Sequence, residues 1–436
     1  MESYPIAFIN MIVIQYNRGI AMKRTFLILM TCCLVFCISC AEKPTGRGVF
    51  DLSDAKNLYI GSVGTSKGIG SDFGEITKDN EVKNVSFDFP IATNNSGYTA
   101  LPDKIYQLNE DYILISFGLP LILVRTSDGY GICLNHIKAN NHSSMDHVLH
   151  DNYILKRQFK IKENGDVYYL GRYLSTKKEN FNDMTGFTIM KYDRAENSIQ
   201  TFFTYDSGEM RGGDSADSLL VDSFENTAAV SHDAVKGKNT IIVAVPKSGS
   251  SVVKDINERF YGSFIADDGV FYFISENGYV SIEFDSANSN ADISELKTYP
   301  GIFPSSDVFV SINGKVYGLN THAQSLICIT AEDGTITDVH TIDTGLTRFN
   351  CWDTAGDYLY ISGDDKLVRI DTTDNSVSEV ITGKVIESFT ASEEHGITFV
   401  TKDADSYSLW VQDLISTAMT KIQESAEAFQ DLVKVD

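Results

Sequence analysis

Four of the eight histidines lie within one short polar stretch of the sequence, at His136, His142, His147 and His150. His147 and His150 are three residues apart, and Asp146 precedes the first of them. Imidazole and carboxylate groups are common ligands of zinc and other transition metals. No known zinc signature has this spacing, and exposed histidines in a polar loop explain the cluster equally well. The sequence therefore leaves two hypotheses here, a transition-metal site and a loop that binds no metal.

Two other loops have compositions that could hold ions. The segment Asp206–Asp217 is rich in carboxylates and glycine, which suits calcium, but it lacks the spacing of an EF-hand. The segment Gly61–Gly70 resembles a phosphate-binding loop only in its glycines, because the Gly-Lys-Ser/Thr ending is missing. We interpret the first as an acidic turn and the second as an ordinary hairpin or loop.

The N-terminal segment has the features of an export signal. Lys23 and Arg24 precede the apolar run Phe26–Ile38, which is too short to span a bilayer. The run ends in Ser39 and Cys40 and resembles a bacterial lipoprotein signal, whose cysteine becomes the diacylated N-terminus of the mature protein. A plain secretory signal or an uncleaved anchor is the alternative. The resemblance implies lipidation at Cys40, with palmitate-type acyl chains.

The remaining cysteines agree with an exported protein. Cys133, Cys328 and Cys351 are scattered through the mature chain and do not form a disulfide framework. We expect them to be small buried apolar residues on strands. One oxidised pair stays open, because the spacing does not select which two would join.

The formal net charge of −23 excludes one class of partner. The first 39 residues contain Glu2 against Arg18, Lys23 and Arg24, so the mature part is more acidic still. Such a surface repels nucleic acid and anionic lipid head groups. We expect no nucleic-acid binding, and attribute the charge mainly to solubility.

Short strand signals separated by turn residues predict an all-β fold for residues 51–436. The clearest unit runs through Gly356–Gly363, Lys366–Ile370 and Ser376–Ile381. Gly, Asp and Asn clusters between these runs indicate hairpin turns. With Ile386–Thr390 as a fourth run, the unit resembles one four-stranded propeller blade.

The same pattern recurs with a period of about 40–45 residues, starting near residues 270, 315, 358 and 397. Looser starts at Tyr112, Val167 and about Thr227 bring the prediction to seven blades. Eight remain open, because Leu58–Val63 and Val82–Phe89 could supply another blade or close the ring with the C-terminus. From about residue 415 the apolar spacing looks helical. That tail could close a blade, pack beneath one or extend from it.

The repeats resemble those of bacterial β-propeller lipoproteins, in the broad pyrroloquinoline-quinone-type and WD-like group. The run Val316–Asn320, followed by Ala331–Ile336, is similar to their strand–turn–strand core. The chain departs from that group where the repeat-ending tryptophan is missing, and Trp352-Asp353 lacks the Gly-His partner of a WD repeat. The resemblance implies a propeller and does not extend to the coenzyme.

The predicted organisation is a signal region at 1–39 with the true start at Met22, a lipidated cysteine and linker at 40–50, and a propeller at 51–436. We expect a non-enzymatic scaffold in the bacterial envelope, at the outer membrane or cell surface, without a cofactor. Its partner would be an envelope protein, a peptide or a glycan. The rival hypothesis is a hydrolase or lyase acting on polysaccharide, with paired carboxylates in the propeller funnel.

Overall fold

The computed structural model describes residues 47–62, 71–88, 102, 104–116, 121–133, 159–173, 186–196, 198–206, 216–232, 240–299, 306, 308–320, 324–403, 405–425 and 428–435. In chain order the strands are β1 Arg47–Phe50, β2 Ala55–Ser62, β3 Ser71–Thr77, β4 Val82–Asn84, β5 Phe87–Asp88, β6 Lys104–Gln107, β7 Tyr112–Ser116, β8 Leu121–Arg125, β9 Tyr130–Cys133, β10 Phe159–Ile161, β11 Val167–Tyr173, β12 Gly186–Asp193, β13 Ser198–Asp206, β14 Ala216–Val221, β15 Thr227–His232, β16 Thr240–Val245, β17 Val252–Ile256, β18 Phe260–Ile265, β19 Phe271–Ser275, β20 Tyr279–Phe284, β21 Ala291–Ile293, β22 Val308–Ile312, β23 Lys315–Asn320, β24 Ser325–Glu332, β25 Thr335–Ile342, β26 Cys351–Ala355, β27 Tyr358–Gly363, β28 Lys366–Asp371, β29 Val377–Thr382, β30 Ile386–Ser392, β31 Gly396–Lys402, β32 Tyr407–Gln412, β33 Met419–Ser425 and β34 Phe429–Lys434.

These strands form eight antiparallel sheets, which are the blades of a propeller. Blade 1 has the order β34-β2-β3-β4, and blade 2 has the order β5-β1-β9-β8-β7-β6. Blades 3 to 8 each contain four consecutive strands, from β10–β13 through to β30–β33. The first strands of neighbouring blades contact each other, as β14 does with β18 and β30 with β34, so they lie at the centre of the ring.

The all-β propeller prediction is confirmed, and eight blades replace the preferred seven. The eighth is blade 1, in which the C-terminal strand β34 pairs with β2 near the other end of the described chain. This is the ring closure that the sequence had left open for Leu58–Val63 and Val82–Phe89. Closure removes the exposed edges that an open series of sheets would have.

Two details of the sequence interpretation are wrong. The tail after residue 415 contains β33 and β34 instead of a helix, and no helix occurs in the described ranges. The run from Ile386 pairs with β31, so it is the first strand of blade 8 and not the fourth strand of blade 7. The part of the chain that the structure describes accordingly offers no helix that could cross a membrane.

The core is divided into eight apolar clusters, one between each pair of neighbouring blades. Second strands such as β7 and β19 are buried along their whole length, because a neighbouring blade covers each of their faces. In β27, Leu359 and Ile361 pack toward blade 6 while Tyr360 packs toward blade 8. Each fully buried large apolar side chain contributes about 1.5–3 kcal/mol to folding.

The two faces of the ring carry different kinds of connection. In each blade the turns after the first and third strands lie at one end, which we call the turn face. The segment between the second and third strands and the passage to the next blade lie at the other end, which we call the connection face. Connections on the turn face are short, as between β24 and β25, which only Asp333 and Gly334 separate.

Candidate functional site: a pocket between blades 7 and 8

A pocket of about 530 Å³ opens on the connection face beside blades 7 and 8. Three segments supply its lining: the passage into β26, the turn between β27 and β28, and the passage into β30. The lining residues are Arg348, Asn350, Asp364, Asp365, Val385 and Glu387. Volumes of about 300–1,000 Å³ are typical of small-molecule sites.

Hydrogen bonds join these three segments into one frame. The Asp364 carboxylate accepts two hydrogen bonds from Thr347, one from its backbone N–H at 2.7 Å and one from its hydroxyl at 2.8 Å. The backbone N–H of Lys384 donates to the carbonyl of Asp365 at 3.0 Å. The Asn350 side chain donates to the carbonyl of Ile386 at 3.3 Å, which links the entries of blades 7 and 8. The pocket backbone is therefore held from both sides.

The turn at the centre of this frame depends on its residue types. Asp364 has a φ of 50°, in the left-handed region that Asp tolerates better than most residues. A Cβ at Gly363 would overlap the backbone carbonyl of Arg348, so this passage can approach the turn only because residue 363 is glycine. The two hydrogen bonds from Thr347 lower the pKa of Asp364, and its carboxylate stays charged.

The other charged groups of the pocket are uncommitted. Arg348, Asp365 and Glu387 are exposed, and their charged ends make no hydrogen bond or ion pair with another described residue. Val385, which is 48% exposed, adds an apolar wall. Lys384 is directed elsewhere, because its Nζ lies 3.8 Å from the ring centroid of Trp410. The pocket thus offers a guanidinium, two free carboxylates and an apolar patch on a fixed backbone.

Three other charged residues on first strands have structural partners instead. Asp353 accepts the backbone N–H of Ala391 at 2.8 Å, which joins blades 7 and 8. Asp431 accepts the N–H of Ile105 at 3.2 Å and joins blades 1 and 2. Lys434 donates to the carbonyl of Thr354 at 2.9 Å, from blade 1 to blade 7. These groups tie the ring together.

The residues singled out from the sequence lie largely outside the described ranges. This holds for Cys40, for His136, His142, His147 and His150, and for most of Gly61–Gly70 and Asp206–Asp217. Within the described ranges, no three His, Cys, Asp or Glu side chains are grouped to hold a metal.

The cysteine prediction can be followed at two positions. Cys328 is 1% exposed and packs between blades 6 and 7, as expected of a small apolar residue. Cys351 is partly buried, and its Sγ lies 2.9 Å from the Ser362 hydroxyl. Both thiols are free. Burial raises the pKa of Cys351 to about 11, which disfavours the reactive thiolate.

Sequence reasoning missed the pocket. The Asp364-Asp365 pair was recognised only as a hairpin turn, and Arg348 and Glu387 stood alone in the sequence with no motif around them. The one available signal was an acidic two-residue turn directly after a strand that ends in glycine. That signal identifies a turn and does not reveal what packs against it.

No protein-family model matches the chain, and no curated protein matches it. Among solved structures, apo AztD from Citrobacter koseri is similar with a TM-score of 0.52 and 12% identity, over 85% of this chain and 94% of that one. NirN, a dihydro-haem d1 dehydrogenase, gives a TM-score of 0.47 and 12% identity, over 90% of this chain and 76% of that one. A Bacteroides uniformis protein assigned as a 6-phosphogluconolactonase gives 0.42 and 12%, over 88% and 97%.

Identities this low show the fold alone, and of these three structures AztD has a TM-score high enough to support an argument. It supports the propeller architecture. The chain has the propeller fold in common with the pyrroloquinoline-quinone-type group. No family model matches the chain to support a relation to that group beyond the fold.

Proposed function

We propose that this chain is a lipid-anchored protein of the bacterial envelope whose propeller binds a partner on its connection face. The observation that carries the binding role is the pocket beside blades 7 and 8, where the charged ends of Arg348, Asp365 and Glu387 make no ion pair with another described residue and stand on a hydrogen-bonded frame. A rigid backbone that carries charged groups without internal partners suits a binding site. The backbone then needs little further ordering when the ligand arrives.

The chemistry of the pocket suits an envelope protein, a peptide or a glycan. The Arg348 guanidinium can bind a carboxylate in a bidentate manner. Asp365 and Glu387 can accept hydrogen bonds from ammonium, amide or hydroxyl groups, and Val385 can contact an apolar group. Polar loop surfaces positioned by a rigid scaffold commonly carry binding functions.

The rival function, hydrolysis or cleavage of a polysaccharide, needs one carboxyl group kept protonated as a general acid. Hydrogen bonds from Thr347 lower the pKa of Asp364, so this carboxyl group is held ionised and is a poor general acid. The pocket carboxylates therefore support binding better than acid–base catalysis.

The binding role is tested by capture of partners from cross-linked membranes. We compare the wild-type chain with the variant R348L/E387Q and with the control variant K78L/E110Q, which changes one cation and one anion on the turn face. Mass spectrometry should find an envelope partner with the wild type and the control, and lose it with the pocket variant. Equal capture by all three would contradict the assignment of the pocket, and glycan turnover abolished in R348L/E387Q would favour the enzyme.

The anchor is tested independently of the pocket. Intact-mass analysis of the N-terminal peptide should find acyl chains on Cys40, and Cys40→Ser should move the protein from the membrane fraction to the soluble fraction. An unmodified Cys40, or a variant that stays with the membrane, would contradict lipid anchoring.

A further inference from the structure

The strand β1 fixes the place where the N-terminal segment joins the propeller. β1 pairs with β9, the fourth strand of blade 2, with Arg47 opposite Ile132 and Val49 opposite Tyr130. Because β9 runs from the turn face toward the connection face, the antiparallel β1 begins at the connection face. The chain therefore enters the described fold at the outer rim of blade 2, at its connection-face end.

This attachment is firm. The Phe50 side chain is 1% exposed, and its ring stacks on Phe87 with a centroid distance of 5.4 Å. The backbone N–H of Phe50 donates to the carbonyl of Gly129 at 2.9 Å. β1 is thus part of the folded blade rather than a loose leader.

The chain between Cys40 and Arg47 is short. Seven residue steps cover at most about 25 Å when fully extended. Blade 2 has strands of four or five residues, such as β9 and β7, and is on the order of 13–17 Å high. To bring the turn face against the membrane, the linker would have to run back along the whole height of blade 2, and only about 10 Å of its length would remain to reach the bilayer.

We infer that the connection face of the propeller is turned toward the bilayer that holds Cys40, and that the turn face points away from it. The inference rests on the proposed lipid anchor. This orientation also locates the partner of the pocket. A ligand bound near Arg348 and Glu387 would be held in the space between the propeller and the membrane surface. The fitting partner is then a component of that same membrane or a molecule at its surface.

The orientation is tested with the full-length lipidated protein in vesicles of phosphatidylethanolamine and phosphatidylglycerol. A genetically encoded azide residue receives one donor fluorophore, and a head-group-labelled lipid serves as the acceptor. Two matched pairs of exposed positions are compared: Thr382 with Asp374 on blade 7, and Lys104 with Ser127 on blade 2. In each pair the first position lies at the connection face and the second at the turn face.

We expect energy transfer from Thr382 and Lys104 to exceed that from Asp374 and Ser127 by about twofold or more, because the ends of a blade are about 20 Å apart. Higher transfer from the turn-face positions would overturn the inference. Equal transfer within each pair, with blade 2 above blade 7, would also overturn it, since the propeller would then stand on its rim. Protein that does not float with the vesicles would contradict the anchor itself, and this orientation with it.

Discussion

Lys56 is a buried lysine at the start of β2 on the turn face. The residue is 3% exposed, and its ammonium donates to the side-chain oxygen of Asn80. Burial lowers the pKa of Lys56 to about 8, because the charged form loses most of its hydration. At neutral pH the folded protein therefore holds a poorly solvated charge.

Replacing Lys56 by methionine should stabilise the protein at neutral pH. The lysine binds its proton less tightly in the folded chain than in the unfolded chain, so its cost is full below about pH 8 and disappears as the pH rises past about 10.5. The gain in the free energy of unfolding is about 3 kcal/mol at most. Urea unfolding near pH 7 and near pH 10 checks this, and a gain that did not shrink at the higher pH would contradict the explanation.

Gly363 is the residue on which the shape of the pocket depends. We expect Gly363→Ala to destabilise the protein by about 1–3 kcal/mol, because the new Cβ would push the Arg348 backbone away. The control is Gly383→Ala, where φ is 71° but no atom lies within 4 Å of an added Cβ. The control substitution should lower the free energy of unfolding by only about 1 kcal/mol, through backbone strain. Thermal unfolding compares the two, and partner capture should fall only for Gly363→Ala.

At the scale of elements, β1 should be removable without unfolding the ring. Phe50→Ala deletes the side chain that holds β1 against blades 1 and 2, at a local cost of about 3–5 kcal/mol. We expect trypsin to cleave after Arg47 much faster in this variant than in the wild type. The midpoint temperature of propeller unfolding should change less than the cleavage rate does. Val49→Ala, whose side chain is 49% exposed, is the matched control and should stay resistant.

Individual elements show why the sequence predicted some strands better than others. Second strands such as Tyr112–Ser116 are short, apolar and buried on both faces, so they are conspicuous. First strands such as Val308–Ile312 are only partly buried, so no continuous apolar run marks them as strands in the sequence. The repeat was therefore counted from second strands, which moved Ile386 into the wrong blade.

The helical appearance of the tail has a physical cause in the last two strands. The pairing of β32 with β33 shifts register at Leu409/Trp410, and that of β2 with β34 shifts at Leu58/Ile60. Asp431, with a φ of 50°, lies in the second irregularity. Bulges interrupt the two-residue alternation of a strand and leave apolar residues three or four apart, as in a helix.

At the scale of the whole molecule, the class of fold could be predicted from the sequence because a propeller repeats one local pattern of strands and turns. The blade count did not, because blade 1 draws its strands from both ends of the chain, and pairing across that distance leaves no local signal. The pocket was missed for the same reason. Arg348 and Asp365 lie in two separate connections and Glu387 lies at the start of β30, and only the packing of blades brings them together.

Removal of β34 should open the ring. A chain ending at residue 428 would expose the edge of β2 and lose the apolar contacts of Phe429 and Leu432 with blade 8. We expect self-association in analytical ultracentrifugation and loss of the cooperative thermal transition. Removal of Asp436 alone should change neither property. A truncated chain that remained monomeric and cooperative would show that closure by β34 is dispensable.

The pairing of β34 with β2 also sets the order of events during synthesis. A ribosome produces residues 429–434 after every other strand of the described ring. Until then the first blade has no partner for its inner edge, however long its other strands have been available. Blade 1 is therefore completed only after the strands of the seven other blades have been synthesised. The closed ring, and the rigidity that closure brings, is a late product of synthesis rather than an early one.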